Sequence, residues 1–268
     1  MLRFHAFGNW TERQVFGDEV PSTRLIVPQV EKIIDETWEA ARSQPGVNLF
    51  DGPMCRLESW AATPKRLELR FSRTSYKPFV GTNLYHADLA DQFGSEILAN
   101  PVGVSPALET SDGWLMFGRR NASVAYYPHR IHPFAGALEP RDGSNVFRAV
   151  ERELVEELAL KPGTLQQIHC VGIAEDQRLR QTELIFSVQV DRSRAKIEAG
   201  VKKDEHQESW SVPAQSAAID AALANVETLT PVATAALLLW GRQNLGTGWF
   251  DQRCPEGRYA PPNRGGPP

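Results

Sequence analysis

The chain has 268 residues, 23% charged and 41% apolar, with a formal net charge of −4. This is an ordinary globular composition, long enough for one large domain plus a smaller unit. The acidic balance speaks against a nucleic acid held through its phosphates, which needs a basic stripe. Three scattered cysteines, Cys55, Cys170 and Cys254, make neither a disulfide scaffold nor a CxxC zinc site.

MLRFHAFGNW opens without an apolar h-region, and the longest uncharged apolar run, PVATAALLLW (231–240), is too short to cross a bilayer. The expectation is a cytoplasmic chain with no membrane partner. Residues 1–60 show no regular pattern except VPQVEKIIDETWEAARS (27–43), an amphipathic helix with Val30, Ile33, Ile34 and Trp38 on one side. PGVNLFDGP (45–53) carries turn residues. KRLELRFSRTSY (65–76) alternates Leu67, Leu69 and Phe71 against charged neighbours and predicts a half-buried strand. DLADQFGSEILA (88–99) predicts a helix. PVGVSPALET and GWLMFGRR flank SDG as a β-hairpin. An acidic helix follows at 146–160, stopped by KPG. HCVGIAED and TELIFSVQV read as strands, AQSAAIDAALA and the 231–242 stretch as helices. Interleaving of this kind predicts a mixed α/β (α+β) class. The tail PEGRYAPPNRGGPP is too rich in Pro and Gly to assign an element.

RAVERELVEEL (148–158) reads first as a solvated helix face. A helix turns about 100° per residue. With Val146 at zero, Val150, Leu154 and Leu158 fall near 40°, 80° and 120°, and Glu156, Glu153 and Glu157 at roughly 280°, 340° and 20°. The three carboxylates are therefore neighbours, and Glu157 sits inside the edge of the apolar arc. A carboxylate turned toward a core is costly unless paired or bound to a cation, and Mg²⁺ favours oxygen ligands. Geometry alone leaves two readings open: a magnesium site, or a solvated face with Arg148 and Arg152 as partners.

RELVEELAL (152–160) resembles the second half of the Nudix box, G-x5-E-x7-R-E-U-x-E-E-x-G-U with U apolar. Arg152, Glu153, Leu154, Glu156, Glu157 and Leu160 match, and Gly136 resembles the opening glycine. The loop 137–145 is longer than the pattern, Ser144 stands where the first Glu belongs, and Ala159 replaces the late glycine. Glu139 or Asp142 are candidates to replace that Glu. TSYKPFVGTN (74–83), NPVGVSPALETSDGWLMFGRR (100–120), GIAED, ES at 208–209 and TPVATAALLLWGR (230–242) are similar to the Nudix hydrolases that cleave UDP-glucose and UDP-galactose.

This resemblance implies a Nudix-type α/β/α sandwich with a mixed sheet. The expected division is an N-terminal α/β extension over 1–85, the hydrolase domain over 86–245 and a tail over 246–268. It implies Mg²⁺, or Mn²⁺, on Gly136, Glu153, Glu156 and Glu157. Catalysis would fall to Glu153, Glu157, Arg152 and Glu208, with Glu153 or Glu208 taking a proton from water. Ser75, Tyr76, Gly81, Thr82, Asn83 and Arg119 are the expected substrate residues, Tyr76 by stacking and Arg119 by pairing with a diphosphate. For Tyr76 and Gly81–Asn83 the competing reading is core and turn. For Arg119 and its neighbour Arg120 it is an exposed strand end. His206 lies near Glu205 and Glu208, whereas His129 and His132 read as loop histidines. The expected activity converts a UDP-sugar to UMP and a sugar 1-phosphate. The alternatives are a pyrophosphatase for ADP-ribose, a dinucleotide or coenzyme A, a nucleotide-binding module that does not cleave, and, least favoured, an RNA-decapping enzyme.

Overall fold

The computed structural model describes residues 2–44, 49–161, 163–202, 206–255 and 258–259. In chain order the elements begin with β1 (Leu2–Trp10), β2 (Val15–Glu19) and α1 (Pro28–Arg42). Then come β3 (Pro53–Thr63), β4 (Arg66–Ser75), α2 (Tyr76–Phe79), a π-helical turn (Val80–Leu84) and α3 (Leu89–Phe93). β5 (Gly103–Thr110), β6 (Trp114–Arg120), β7 (Ile131–His132), β8 (Gly136–Ala137) and α4 (Val146–Leu158) follow. The chain continues with β9 (Leu165–Asp176), β10 (Gln181–Val190), α5 (Arg194–Glu198), β11 (His206–Pro213), α6 (Ser216–Leu223), α7 (Pro231–Asn244), α8 (Thr247–Arg253) and β12 (Arg258–Tyr259).

The larger sheet has the order β11-β6-β5-β10-β9-β1-β12, with β7 paired to β6 and β8 to β5. β10 runs parallel to β5 and antiparallel to β9, so the sheet is mixed. α4 covers one face: Val150, Leu154 and Leu158 share a core with Val104, Leu184 and Phe186. α7 covers the other, packing Leu237 and Leu238 near Ile185 and Phe117. Full burial of each such side chain is worth about 1.5–3 kcal/mol. The result is the expected α/β/α sandwich. α7 is buried on every side from Val232 to Gly241, which explains why its sequence has no polar stripe.

The N-terminal part is less separate than the expected boundary at residue 85. β1 pairs with β9 in the large sheet. The second sheet, β2-β4-β3, places Leu67, Leu69 and Phe71 in the same core as α4. Shared apolar burial joins the extension to the main body. β1, β2 and β3 escaped the sequence reading because Gly8, Gly17 and polar neighbours interrupt their alternation. The helix expected over 88–99 stops at Phe93, where Gly94 takes φ +88°. α8 occupies the start of the expected tail over 246–268, and most of the remaining tail lies outside the described residues.

Candidate functional site

α4 starts where Asn145 accepts hydrogen bonds from the Phe147 and Arg148 amides, at 3.0 and 3.2 Å. That side-chain cap satisfies two otherwise orphaned donors. From there the helix period turns Glu153 and Glu157 inward: both side chains are 12% exposed, while Glu156 is 49% exposed. The helical wheel had Glu157 facing the core, and it does.

Glu153 lies against Gly136 of β8. A Cβ at position 136 would come within 2.0 Å of its carboxylate, so only glycine leaves room for that group. Arg152 donates from Nη1 to Glu153 at 2.7 Å and to Glu156 at 3.4 Å. Its Nη2 donates to the Ala137 carbonyl at 3.0 Å. Asp142, which is buried, accepts from both Nε and Nη2 of the same guanidinium. Its second oxygen also accepts the Glu139 amide at 2.9 Å. The longer loop therefore brings an aspartate to Arg152, while Ser144 sits in the left-handed region with φ +60°. Glu139 is also within 3.7 Å of Arg152.

Burial pushes the Glu153 carboxyl up to about 7, with Glu157 and Glu156 adding to the rise and Arg152 opposing it. Burial lowers Arg152, but the hydrogen bond to Asp142 and the charges of Glu153 and Asp142 outweigh it and hold the guanidinium well above its ordinary range. Glu157 is held by His206, whose Nε2 lies 3.1 Å from its Oε2. His206 is buried, with Phe134 edge-on at 5.0 Å. Among the described residues no three His, Cys, Asp or Glu side chains converge on one metal-binding point, because Glu153 and Glu156 are turned to Arg152 and Glu157 to His206. The donors themselves suit a hard cation, and Gly136 keeps space beside Glu153.

A cavity of about 520 Å³ opens beside this cluster. Arg152, Glu153, Glu156 and Gly136 form one part of its wall, and Tyr76, Phe79, Tyr126, Arg120, His132, Gln181, Ser105 and Glu183 form others. Tyr76 lines this cavity, with Trp38 edge-on at 6.2 Å.

The other expected substrate residues are placed differently. Asn83 is fully buried. Its Nδ2 donates to the Leu179 carbonyl at 2.9 Å and to Asn100 Oδ1 at 3.2 Å, and its Oδ1 accepts the Asn100 amide at 3.0 Å. Thr82, also buried, donates to the Pro78 carbonyl and accepts from the Ala99 amide. A Cβ on Gly81 would strike the Ile34 backbone of α1 at 2.6 Å. These three residues fasten the π-helical turn to its neighbours. Their donors are consumed internally, so they stand outside the cavity wall, as does Ser75, which precedes α2 as its cap position.

Arg119 and Glu208 bind each other at 2.5 Å across β6 and β11, and Arg119 also donates to the His129 carbonyl. Neither lines the cavity. Strand alternation sends the adjacent Arg120 inward instead: it is buried, with its guanidinium 4.6 Å from the Tyr126 ring. His132 is no loop histidine. It is buried on the cavity wall, its Nδ1 lies 3.0 Å from the Thr230 hydroxyl, and burial first, then Arg120 and His206, hold its pKa well below the usual range. Glu205 lies outside the described residues. Glu183, Ser105 and Gln181 gave no sequence signal beyond a polar residue on an otherwise apolar strand, and Tyr126 lies in the turn-rich segment between β6 and β7.

No protein-family model matches the chain. It is 33% identical over 198 residues to the uridine diphosphate glucose pyrophosphatase NUDT22 of Bos taurus, covering 62% of this chain and 68% of that protein. The Homo sapiens NUDT22 is 31% identical over 202 residues, covering 63% and 66%. Among solved structures, similarity extends to a NUDIX hydrolase from Nitrosomonas europaea, with a TM-score of 0.38 and 18% identity, over 59% of this chain and 91% of that one. The MutT protein of Methanosarcina mazei gives a TM-score of 0.39 and 17% identity, over 54% and 94%.

Proposed function

We propose that this chain, which belongs to the Nudix hydrolases of the uridine diphosphate glucose pyrophosphatase NUDT22 family, hydrolyses the diphosphate of a UDP-sugar to UMP and a sugar 1-phosphate. The observation that carries this reading is the placement of Glu153: buried against Gly136, beside Glu157 and Arg152, on the wall of a cavity sized for a small molecule. Glu153, Glu156 and Glu157, with the Gly136 carbonyl, are the groups that would hold Mg²⁺ or Mn²⁺. When bound, such an ion supplies charge neutralisation at the diphosphate and polarisation of water.

The chain's own residues do the rest. Arg152, anchored by Asp142 and Ala137, keeps the Glu153 carboxyl at the cavity wall. Glu153 accepts the proton of the attacking water. Glu208, paired with Arg119 outside the cavity, is replaced in that role. Arg120 offers a planar cation to the phosphates, and Tyr76 and Tyr126 offer aromatic faces to the base. The three cysteines are free and buried, in keeping with a reducing cytoplasm. Among the described residues no helix is long and apolar enough to cross a membrane.

A screen of UDP-, ADP- and GDP-linked compounds with Mg²⁺ tests the assignment. Preferential cleavage of UDP-glucose or UDP-galactose is expected, and a preference for adenine compounds would overturn the uridine reading. Replacing Glu157→Gln is expected to abolish turnover in a folded protein. Undiminished Mg²⁺-dependent hydrolysis by that variant would remove the helix glutamates from the mechanism. The rival reading of a non-cleaving module draws on Ser144 and the longer loop; the retained glutamates and the Asp142–Arg152 contact support cleavage instead.

A further inference from the structure

β10 carries Gln181 and Glu183 two residues apart, so both side chains leave the same face of the strand. Both are buried and both line the cavity. The hydrolytic cluster uses neither. The Glu183 carboxyl lies over Gly103, where a Cβ would come within 2.1 Å of it. Ser105 Oγ donates to Glu183 Oε2 at 2.9 Å. Among the described residues nothing pairs with Glu183 Oε1 or with the Gln181 amide, and no ion pair holds Glu183. A buried carboxyl without a cation is costly, and a cost of this kind on a cavity wall marks a ligand-facing group.

The charged or titratable groups nearest Glu183 are Asp176 of β9 and Arg120 of β6, with His132 of β7 on the same cavity wall. Burial pushes the Glu183 carboxyl up to about 8, against the Ser105 hydrogen bond and Arg120, while Asp176 adds to the rise. The group therefore carries a proton at neutral pH. Because Oε2 accepts from Ser105, the proton falls to Oε1, which faces the cavity.

We propose that Glu183 and Gln181 form an uncharged wall that reads the imide edge of a uracil base, setting specificity at the nucleoside end of the substrate. This rests on the nucleotide-sugar reading above. An imide edge shows an acceptor, a donor and an acceptor in fixed order. Glu183 donates from Oε1 to one carbonyl, while the Gln181 amide accepts the ring N–H and donates to a carbonyl. Hexose hydroxyls take either role and are poorly sorted by such a wall. Phosphates, being anionic, belong with Arg120 and the metal cluster. Cytosine reverses two of the three positions, so one donor of the wall meets a donor and the Gln181 carbonyl meets an acceptor.

Calorimetric binding of UMP and CMP to the full chain tests this without turnover. Wild type is expected to bind UMP about tenfold or more tightly than CMP, since a site built to hydrogen-bond a group rejects analogues lacking it. Glu183→Gln keeps a neutral donor and acceptor and should hold UMP affinity within about threefold. Glu183→Leu and Gln181→Ala should each lose about tenfold in UMP affinity and bring the UMP/CMP ratio toward one. If Glu183→Leu does not fold, Gln181→Ala carries the test alone. An unchanged ratio in a folded variant, or equal UMP and CMP binding by wild type, would overturn the proposal. Selective UMP binding without UDP-sugar turnover would overturn the hydrolase reading and support the wall. UDP-sugar turnover with unaltered selectivity in the variants would do the reverse.

Discussion

The guanidinium of Arg152 meets the carboxylate of Asp142 in a two-point contact, Nε to Oδ1 at 3.0 Å and Nη2 to Oδ2 at 3.1 Å. Fork geometry of this sort is strong and directional. It links the loop 137–145 to α4, and through Arg152 it reaches Glu153.

Removing Asp142 should therefore damage both stability and activity. Asp142→Ala strands a largely buried guanidinium that keeps Glu153 and Ala137 as partners, so a loss of about 3 kcal/mol is expected, or roughly 6–10 °C in Tm. Asp142→Asn should fold better and still lower kcat about 10- to 100-fold, the usual cost of disturbing a group that orients a ligand. Thermal melts and steady-state kinetics read the two effects; an Asp142→Asn variant with full kcat would show that Arg152 needs no anchor.

Asn83 and Tyr76 should separate cleanly. Asn83→Ala removes internal hydrogen bonds and leaves buried backbone groups unsatisfied, at about 2–4 kcal/mol, with KM within about twofold of wild type. Tyr76→Ala should raise KM roughly tenfold through lost stacking, worth about 1.4 kcal/mol. A large KM effect from Asn83→Ala in a stable protein would restore it to the substrate site.

Glu183 should make stability pH-dependent. In the unfolded chain its proton leaves near 4.5, whereas in the folded protein it is held until about 8. Between those values the unfolded state gains stability and the folded state does not, so folding weakens as pH rises from about 4.5 to 8. The upper limit of this cost is on the order of 5 kcal/mol. Glu183→Gln does not titrate, so its Tm advantage over wild type should grow from pH 5 to pH 8. Comparing the pair cancels the similar contribution of Glu153. A constant difference across that range would show that Glu183 is ionised in the fold.

Ala159 ends α4 in the left-handed region, φ +49° and ψ +35°. A side chain there costs roughly 1–2 kcal/mol, partly offset by the greater freedom of glycine in the unfolded chain. Ala159→Gly should stabilise the protein by about 0.5–1 kcal/mol, read as a higher midpoint in urea. A lower midpoint would mean that the Ala159 methyl contributes packing that outweighs its strain.

Local pattern determined α1, β4, the β5–β6 hairpin, α4 and β10, and α7 was read from its unbroken apolar run after Pro231. It also determined that Glu157 faces inward, since it falls inside the arc of Val146, Val150, Leu154 and Leu158, whereas the burial of Glu153, beside that arc, depends on Gly136 of β8. The tertiary structure decided what depends on contacts between distant segments. Asn83 is a staple because Leu179 and Asn100 come to it, Arg120 rather than Arg119 reaches the cavity because β11 claims the outer arginine, and Asp142 meets Arg152 because the loop 137–145 folds back onto α4. Glu183 is a cavity group for the same reason: a lone glutamate on an apolar strand acquires meaning only when Gly103 and Ser105, some eighty residues upstream, are laid beside it in the sheet.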